Sequence, residues 1–471
     1  MIEASSRTPE THRPFARSFR QHFLETVTLA VPVAIGQLGH VLLVLVDNLM
    51  VGSLGAVPLA GASLGHGVFV LMLVFAAGMA SAITPLTAIA VGEDDHDLVS
   101  RIARQGLVQN FLLSLLLCGV TMLMANSLHL LGQDNAVVDE AVPYLRVMGV
   151  SFLPMLAFMS MRNVTEGLSF PKPAMLIILA ANIINIFGNW VFIFGNLGMP
   201  RMGLVGAGYS SVLVEFFSAV ALWMYIHRSR RFRRYLPLLR LRGFEWMLQR
   251  RMLRIGTPSG LQWLFEAGSF SFSTVMMGWI SATALAAHQI GLSLAAISYM
   301  AILGISSAAT IRVGNAMGRK HAEDLRRAGF TGIIMAICMM SIAAVVFIVF
   351  RSKLPELYIR DPAVIDIAST LLIVAAVFQL SDGVQAVTLG VLRGITDVTV
   401  PMFIAVFAYW FLGVPSGYLL AFVFGLGPVG IWIGFIIGLT VAALSFVRRF
   451  NRQCHSFARQ WPAFTPSPQD S

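Results

Sequence analysis

Twelve apolar stretches run through the chain, each about as long as the roughly 20 residues that a helix needs to cross a bilayer. Their approximate limits are 24–50, 57–91, 105–131, 142–167, 173–195, 203–227, 252–280, 284–313, 327–350, 363–392, 399–422 and 428–447. No other feature limits the fold so strongly. In hydrocarbon every backbone N–H and C=O must be satisfied within the protein, and apolar runs of this length do so as helices. The second stretch is long enough to tilt or kink. Composition agrees: of 471 residues, 57% are hydrophobic and 12% charged, about half the charge of a soluble chain. The expected fold is an all-α polytopic membrane protein.

Twelve spans place both termini on one side of the membrane. That side carries 28 of the 33 Lys and Arg residues, ten of them in 228–254; the opposite side carries Arg146, Arg201, Arg351, Lys353 and Arg360. The positive-inside rule then puts both termini in the cytoplasm. The net charge of +10 is thus a topology signal rather than a nucleic-acid footprint. The run HRSRRFRRYLPLLRLRGFEWMLQRRMLR reads as a cytoplasmic linker lying on anionic lipid. The expected segments are an N-terminal tail (1–23), a six-helix bundle (24–227), the basic linker (228–251), a second six-helix bundle (252–447) and a C-terminal tail (448–471). The first twenty or so residues lack the short apolar core and cleavage site of a removable signal peptide. Cys118, Cys338 and Cys454 form no CxxC pattern and no disulfide framework.

The linker divides an internal repeat. Shifted by 226, residues 32–101 align without a gap to 258–327, and 15 of 70 positions are identical. Pro32/Pro258, Gly52/Gly278, Gly78/Gly304, Ser81/Ser307, Thr84/Thr310 and Gly92/Gly318 are among them. Six spans per half give the halves one orientation, so they are expected to be related by a pseudo-twofold axis along the membrane normal, an arrangement of transporters. Pro32 and Pro258 fall inside spans, where each frees a backbone carbonyl and makes a candidate hinge.

Away from span ends the apolar stretches hold four conspicuous charges, Asp47, Glu215, Glu266 and Asp382. A central Asp costs about 2.5–3.5 kcal/mol on insertion scales, so each is a functional candidate. Helical spacing gives three of them polar company: Gln262, Glu266, Ser269 and Ser273; Gln379, Asp382 and Gln385; Gln37, His40 and Asp47. Asn182, Asn185 and Asn189 form a similar stripe, which serves equally well for helix-to-helix hydrogen bonding. Glu215 has no such stripe. No positive residue is expected deep in a span. A buried carboxyl then either holds a proton or binds a cation through hard oxygen ligands. Both are exchangeable, which makes Glu266 a candidate coupling-ion or cationic-substrate site. There is no GxxxxGK[ST] for nucleotide and no HExxH for a protease; the stretch GNAMGRK (314–320) misses the former. An ion gradient is the expected energy source. The GxxxGxxxG face at Gly430, Gly434 and Gly438 suits close helix packing better than dimerisation.

Six ordered stretches carry a resemblance: VDNLMVGSLGAVPLAG, RNVTEGLSFPKPAM (162–175), NIINIFGNWVFIFGNLGMPRMGLVGAG (182–208), GTPSGLQWLFEAGSFSFSTVMMGWI (256–280), ALAAHQI (284–290) and QLSDGVQAVTLGVLRGITDVTVPM (379–402). Over about residues 20–450 the chain resembles multidrug and toxic compound extrusion (MATE) transporters, in particular the NorM-type branch. The resemblance implies two six-helix bundles around a central cleft, and antiport of organic cations against Na+ or H+. It implies a bacterial cytoplasmic (inner) membrane location, membrane lipid and organic cationic small molecules as partners, no nucleic acid, no enzyme activity and no cofactor beyond the coupling ion, in a chain expected to act as a monomer. Residue by residue, Asp47, Asn185 and Asn189 match the family's N-terminal-bundle cation site, with Ser211 where relatives carry Thr. Glu266 and Asp382 match the acidic pair of the C-terminal bundle, with Gln262, Gln379, Gln385 and Glu215 as accessory candidates. Na+ is a candidate at Asp47, or at Glu266 with Asp382. Phe378 stands where some Na+-coupled relatives place Tyr, which removes one oxygen ligand from the second site. In the implied cycle, an ion neutralises a carboxylate, the cationic drug leaves, and the neutral site returns inward. The nearest alternative is a related flippase for a lipid-linked saccharide or other amphipathic lipid, which would call for cationic residues along the cleft. A sensor would call for a soluble domain, and the longest loops are about 25 residues.

Overall fold

A computed structural model describes residues 19–232, 235 and 243–461. Most of the predicted N-terminal tail, the core of the basic linker and the end of the C-terminal tail lie outside the described residues. The helices are α1 (Phe19–Gly52), α2 (Ala56–Ala80), α3 (Ile83–Gly92), α4 (His96–Asn126), α5 (Asn135–Gly167), α6 (Lys172–Phe192), α7 (Gly203–Arg228), α8 (Trp246–Ile280), α9 (Ala282–Gly318), α10 (Ala322–Val349), α11 (Lys353–Glu356), α12 (Pro362–Gly394), α13 (Thr399–Val406), α14 (Val414–Tyr418) and α15 (Gly427–Gln460). Among the described residues there is no strand. Several starts are capped by a side-chain oxygen. Asp95 accepts from Leu98 N at 2.8 Å, Ser281 from Ala284 N at 3.0 Å and Asp361 from Ala363 N at 2.9 Å.

Eleven segments among the described residues are long and apolar enough to cross a membrane. The twelfth predicted span is α8, a continuous helix of 35 residues. It is long enough, at about 1.5 Å per residue, but Gln262, Glu266, Ser269 and Ser273 dilute its hydropathy. Those polar groups turn inward: Gln262, Ser269 and Ser273 are buried.

Two six-helix bundles result. In the first, α5 packs on α2, α4 and α7, and α6 on α1 and α7; in the second, α12 packs on α9, α10 and α15. The bundles meet where α1 lies on α9, α2 on α8 and α3 on α9. A shift of 226 carries α1 onto α8 and α2 with α3 onto α9. The first two contacts are therefore mates under the pseudo-twofold, and the third lies on the axis. There Gly92 faces Gly318: a Cβ on Gly92 would strike the carbonyl of Asn315, and one on Gly318 the carbonyl of Ile89, again 226 residues apart. A Cβ on Gly78 would fall 2.5 Å from the Cα of Gly260, and one on Gly304 2.5 Å from the carbonyl of Ala30. These close approaches fall in the half of each helix nearer the termini. Arg312 adds a polar tie there, donating from α9 to the His22 carbonyl and Thr26 Oγ1 of α1, both at 2.6 Å, and to Glu25 Oε2 at 3.1 Å. The space between the bundles is thus sealed toward the termini.

The second predicted span is broken between α2 and α3. Pro85 has no N–H for the carbonyl of Ser81 and its ring crowds that carbonyl, so the helix stops. Ser81 Oγ donates to the Gly78 carbonyl at 2.6 Å, and Asn163 Nδ2 of α5 takes up the Ala80 carbonyl at 2.8 Å. The repeat puts Ile311 where Pro85 stands, and α9 runs unbroken for 37 residues. At the candidate hinges Pro32 and Pro258, α1 and α8 continue through the proline.

The eleventh span widens into π-helix at Phe407–Gly413 and Leu419–Val423, flanking Pro415 of α14. The glycine face of α15 packs against this span within the chain. A Cβ on Gly434 would sit 2.5 Å from the Cα of Gly417 and 2.6 Å from the Gly413 carbonyl.

Candidate functional site

Asp47 sits on the face of α1 that Gln37 and His40 share, and all three line a cavity of about 440 Å³ between the bundles. Two helices bring amides to its carboxylate. Asn185 Nδ2 donates to Oδ1 at 3.0 Å and Asn189 Nδ2 to the same oxygen at 2.6 Å. Both come from one face of α6, spaced one turn apart as the sequence predicts. Ser211 of α7 lies beside the same carboxylate, with its hydroxyl donated to the Ala207 carbonyl at 3.1 Å. The four residues proposed for the first cation site are thus brought together. The side-chain oxygen of Asn189 is buried with no hydrogen-bond partner beside a carboxylate, leaving an acceptor for a hard cation. Asn182, third in the Asn stripe, does structural work: its amide donates to the carbonyls of Gly39 at 3.1 Å and Ile178 at 2.9 Å.

Glu215 follows Ser211 by one turn of α7 and lines the same cavity. Among the described residues its carboxylate has no hydrogen-bond partner.

Glu266 and Asp382 do not line this cavity. They form a second cluster inside the C-terminal bundle, close enough for each to feel the other's charge. Gln262 Nε2 donates to Glu266 Oε2 at 3.1 Å. The other accessory candidates serve neighbours: Gln385 Nε2 donates to Tyr409 OH at 2.6 Å, and Gln379 Oε1 accepts from Ser298 Oγ at 2.7 Å. Gln385 Oε1 and Gln379 Nε2 remain buried and unpartnered. Phe378 packs among Phe270, Trp432 and Phe435. Phenol oxygens reach the region instead from Tyr299 of α9 and Tyr409 of the π segment, both electrostatic neighbours of Glu266 and Asp382. Neither carries a sequence signal, because each is a lone Tyr in an apolar run. Among the described residues no three His, Cys, Asp or Glu side chains converge as a metal site.

Two arginines reach the cavity from the last two turns of α5 and α12. Arg162 and Arg393, which the sequence places at span ends, both line the terminus-side floor of the central cavity. Arg162 Nε donates to Glu166 Oε1 at 2.7 Å, and Ser307 of the other bundle donates to Glu166 Oε2 at 3.1 Å. Arg393 lies over the ring of Trp263, 4.9 Å from its centroid. Arg162 lies in the last two turns of α5 and Arg393 in the last turn of α12, and both helix ends border the cavity, so residues that look like loop cations are held inside the fold.

Comparison with known proteins agrees with this architecture. The MatE family model matches residues 32–191 and 258–419, one match per half, with starts 226 residues apart. The chain is 35% identical over 453 residues to a probable multidrug resistance protein NorM of Bradyrhizobium diazoefficiens, covering 95% of this chain and 96% of the relative. It is 34% identical over 436 residues to the multidrug resistance protein MdtK of Yersinia pseudotuberculosis, covering 90% and 94%. Among solved structures, an outward-facing multidrug resistance MATE family transporter of the MOP superfamily superimposes with a TM-score of 0.85 at 22% identity, covering 93% of this chain and 97% of that one. The eukaryotic MATE transporter AtDTX14 does so with 0.83 at 20% identity, covering 94% and 100%. With both halves matched by the family model and full-length relatives at about a third identity, the chain belongs to the MatE family.

Proposed function

We propose that the protein is a cation-coupled antiporter that exports organic cations across the bacterial cytoplasmic membrane by alternating access, with both termini cytoplasmic. The observation that carries this reading is the Asp47 carboxylate, held by Asn185 and Asn189 in the wall of a drug-sized cavity between two pseudo-symmetric bundles. A carboxylate there attracts an organic cation, and an H+ or Na+ that neutralises it releases that cation. The relatives named as multidrug resistance proteins support the substrate class. The excess of Lys and Arg on the terminus side supports the orientation. The seal on that side corresponds to the state in which bound cargo leaves outward. One charge crossing 100 mV supplies about 2.3 kcal/mol to drive the cycle. Coupling by Na+ or H+ is proposed at Asp47 or at Glu266 with Asp382, and the monomer is the proposed functional unit.

One observation favours the flippase alternative: Arg162 and Arg393 line the cavity, as an anionic headgroup would require. Glu166 neutralises Arg162, and Asp47 and Glu215 face the same space, so the walls remain acidic. The test is efflux of an ethidium-type cation from proteoliposomes under an inward H+ or Na+ gradient. Efflux driven by one gradient and lost in Asp47→Asn is expected. Folded protein that moves no cation under either gradient, yet translocates a lipid-linked saccharide, would replace this reading with the flippase.

A further inference from the structure

A charged cluster crosses the terminus-side seal, apart from both carboxylate sites, with the buried His22 at its centre. The two terminal nitrogens of Arg312 reach four acceptors on α1: the His22 carbonyl and Thr26 Oγ1 at 2.6 Å, Glu25 Oε2 at 3.1 Å, and His22 Nδ1. A guanidinium only donates, so Nδ1 accepts and the ring proton sits on Nε2. Nε2 faces Asp324 Oδ1 of α10 at 3.7 Å. His321 closes the cluster, capping α10 by accepting from Asp324 N at 3.1 Å through its Nδ1. His22, Glu25, Arg312, Arg319 and Asp324 line one cavity of about 470 Å³, separate from the central one. Arg319 on its rim is exposed and Glu25 partly so, which opens the cluster to water on the terminus side.

The repeat supplies an internal comparison. Under the shift of 226, His22 and Thr26 correspond to Leu248 and Met252, and Arg312 and Asp324 to Leu86 and Leu98. Those four residues belong to one apolar cluster, with Leu86, Leu248 and Met252 buried in it and Leu98 packed against it. At one of the two symmetric places, then, the fold closes with carbon alone. At the other, a buried His and a buried Arg stand where aliphatic side chains would serve, and taking such groups out of water is costly. Closure by itself does not explain them.

We propose that His22 makes the terminus-side seal proton-sensitive: the neutral ring holds α1 on α9, and a second ring proton, taken up from the terminus side, releases it. Imidazole is the side chain whose charge changes near neutral pH. A proton on Nδ1 turns the acceptor of Arg312 into a donor, sets N–H against N–H, and places two positive charges side by side in a buried site. Asp324 favours the added charge but restores no acceptor to Arg312, so proton uptake and closure compete. Glu25, on the outer side of the guanidinium, keeps its hydrogen bond in either case. The proposal rests on the alternating-access reading above and adds to it a control acting from the side where cargo loads.

The test reads the width of the terminus side directly. With Cys118, Cys338 and Cys454 replaced by serine, spin labels are placed at Lys172→Cys of the first bundle and Arg326→Cys of the second, both exposed on that side. Their separation is measured by pulsed electron spin resonance in nanodiscs without substrate. Between about pH 8 and about pH 5.5, the range in which an imidazole gains its proton, the ratio of wide to narrow populations is expected to rise about tenfold, as for the loss of one hydrogen bond to a charged group. His22→Asn keeps an acceptor near the Nδ1 position and takes no proton, so it should stay narrow at both values. His22→Lys carries the charge without the acceptor and should be wide at both. His321→Asn retains the cap of α10 and should respond as the wild type does. A wild type that stays narrow at acid pH, acid opening that persists in His22→Asn, or acid opening that disappears in His321→Asn would overturn the proposal. Wild type that moves no ethidium-type cation would instead defeat the transport reading, a distinct outcome on which these substrate-free distances do not depend.

Discussion

Asp47 and Glu266 differ in what surrounds them, and the difference predicts different phenotypes. Asp47 opens onto the cavity and is held by two amides. Glu266 and Asp382 lie away from that cavity among Gln262, Tyr299 and Tyr409. Asp47→Asn should therefore weaken equilibrium binding of an organic cation at least tenfold, the order expected when a desolvated carboxylate is lost from a cation site. Glu266→Gln and Asp382→Asn should leave that binding within about threefold and slow gradient-driven turnover instead. Dye-binding titrations on purified variants, set beside proteoliposome efflux, check both. Equal binding losses in all three would merge the two clusters into one site. One-turn spacing put Asn185 and Asn189 on one face of a helix, but only the resemblance joined that face to Asp47, because spacing within one helix does not say which other helix it meets. Arg162 and Arg393 were legible by neither route. An arginine near the end of an apolar window reads as a loop residue, and only the packing of the ends of α5 and α12 against the other bundle brings it to the cavity.

At the scale of helices, span positions followed from hydropathy, while the deviations required knowledge of partners. Helix α8 falls short of an apolar span by its own composition, and its burial against the rest of the bundle makes the polar face tolerable. The break between α2 and α3 has a sequence cause, Pro85, but twelve-span hydropathy alone does not separate it from Pro32 and Pro258, where the helices continue. The π segments around Pro415 carry no period that a hydropathy scan detects. Their packing on α15 is nevertheless testable. Gly434 has the backbone of Gly413 and Gly417 within 2.6 Å of where a Cβ would stand. Gly434→Val should cost about 1–3 kcal/mol by overpacking, seen as a lower unfolding temperature in detergent. Gly119→Val, on an exposed face with nothing within 4 Å, should leave it nearly unchanged. Similar melting of the two variants would mean that this helix pair yields easily.

For the whole molecule, the pseudo-twofold makes the terminus-side seal one object with two mirrored parts. Gly92 and Gly318 each admit the other's backbone, so a side chain at either position works against closure. Alternating access needs this seal to form and break, and a variant that cannot close should populate the state open toward the termini. About 1.4 kcal/mol shifts such an equilibrium tenfold, and a side chain driven into backbone costs at least that much. Ser307 reports the change, because it lines the cavity floor. With Cys118, Cys338 and Cys454 replaced by serine, Ser307→Cys should react with a membrane-impermeant maleimide from the side opposite the termini. Adding Gly92→Leu should move labelling to the terminus side, and Gly318→Leu should do the same, since the axis relates the two positions. Arg312→Gln, which removes the polar tie to α1 without adding bulk, should produce a smaller shift in the same direction. Labelling that stays on the original side in both glycine variants, with protein that still binds dye, would show that the bundles separate elsewhere than at this crossing.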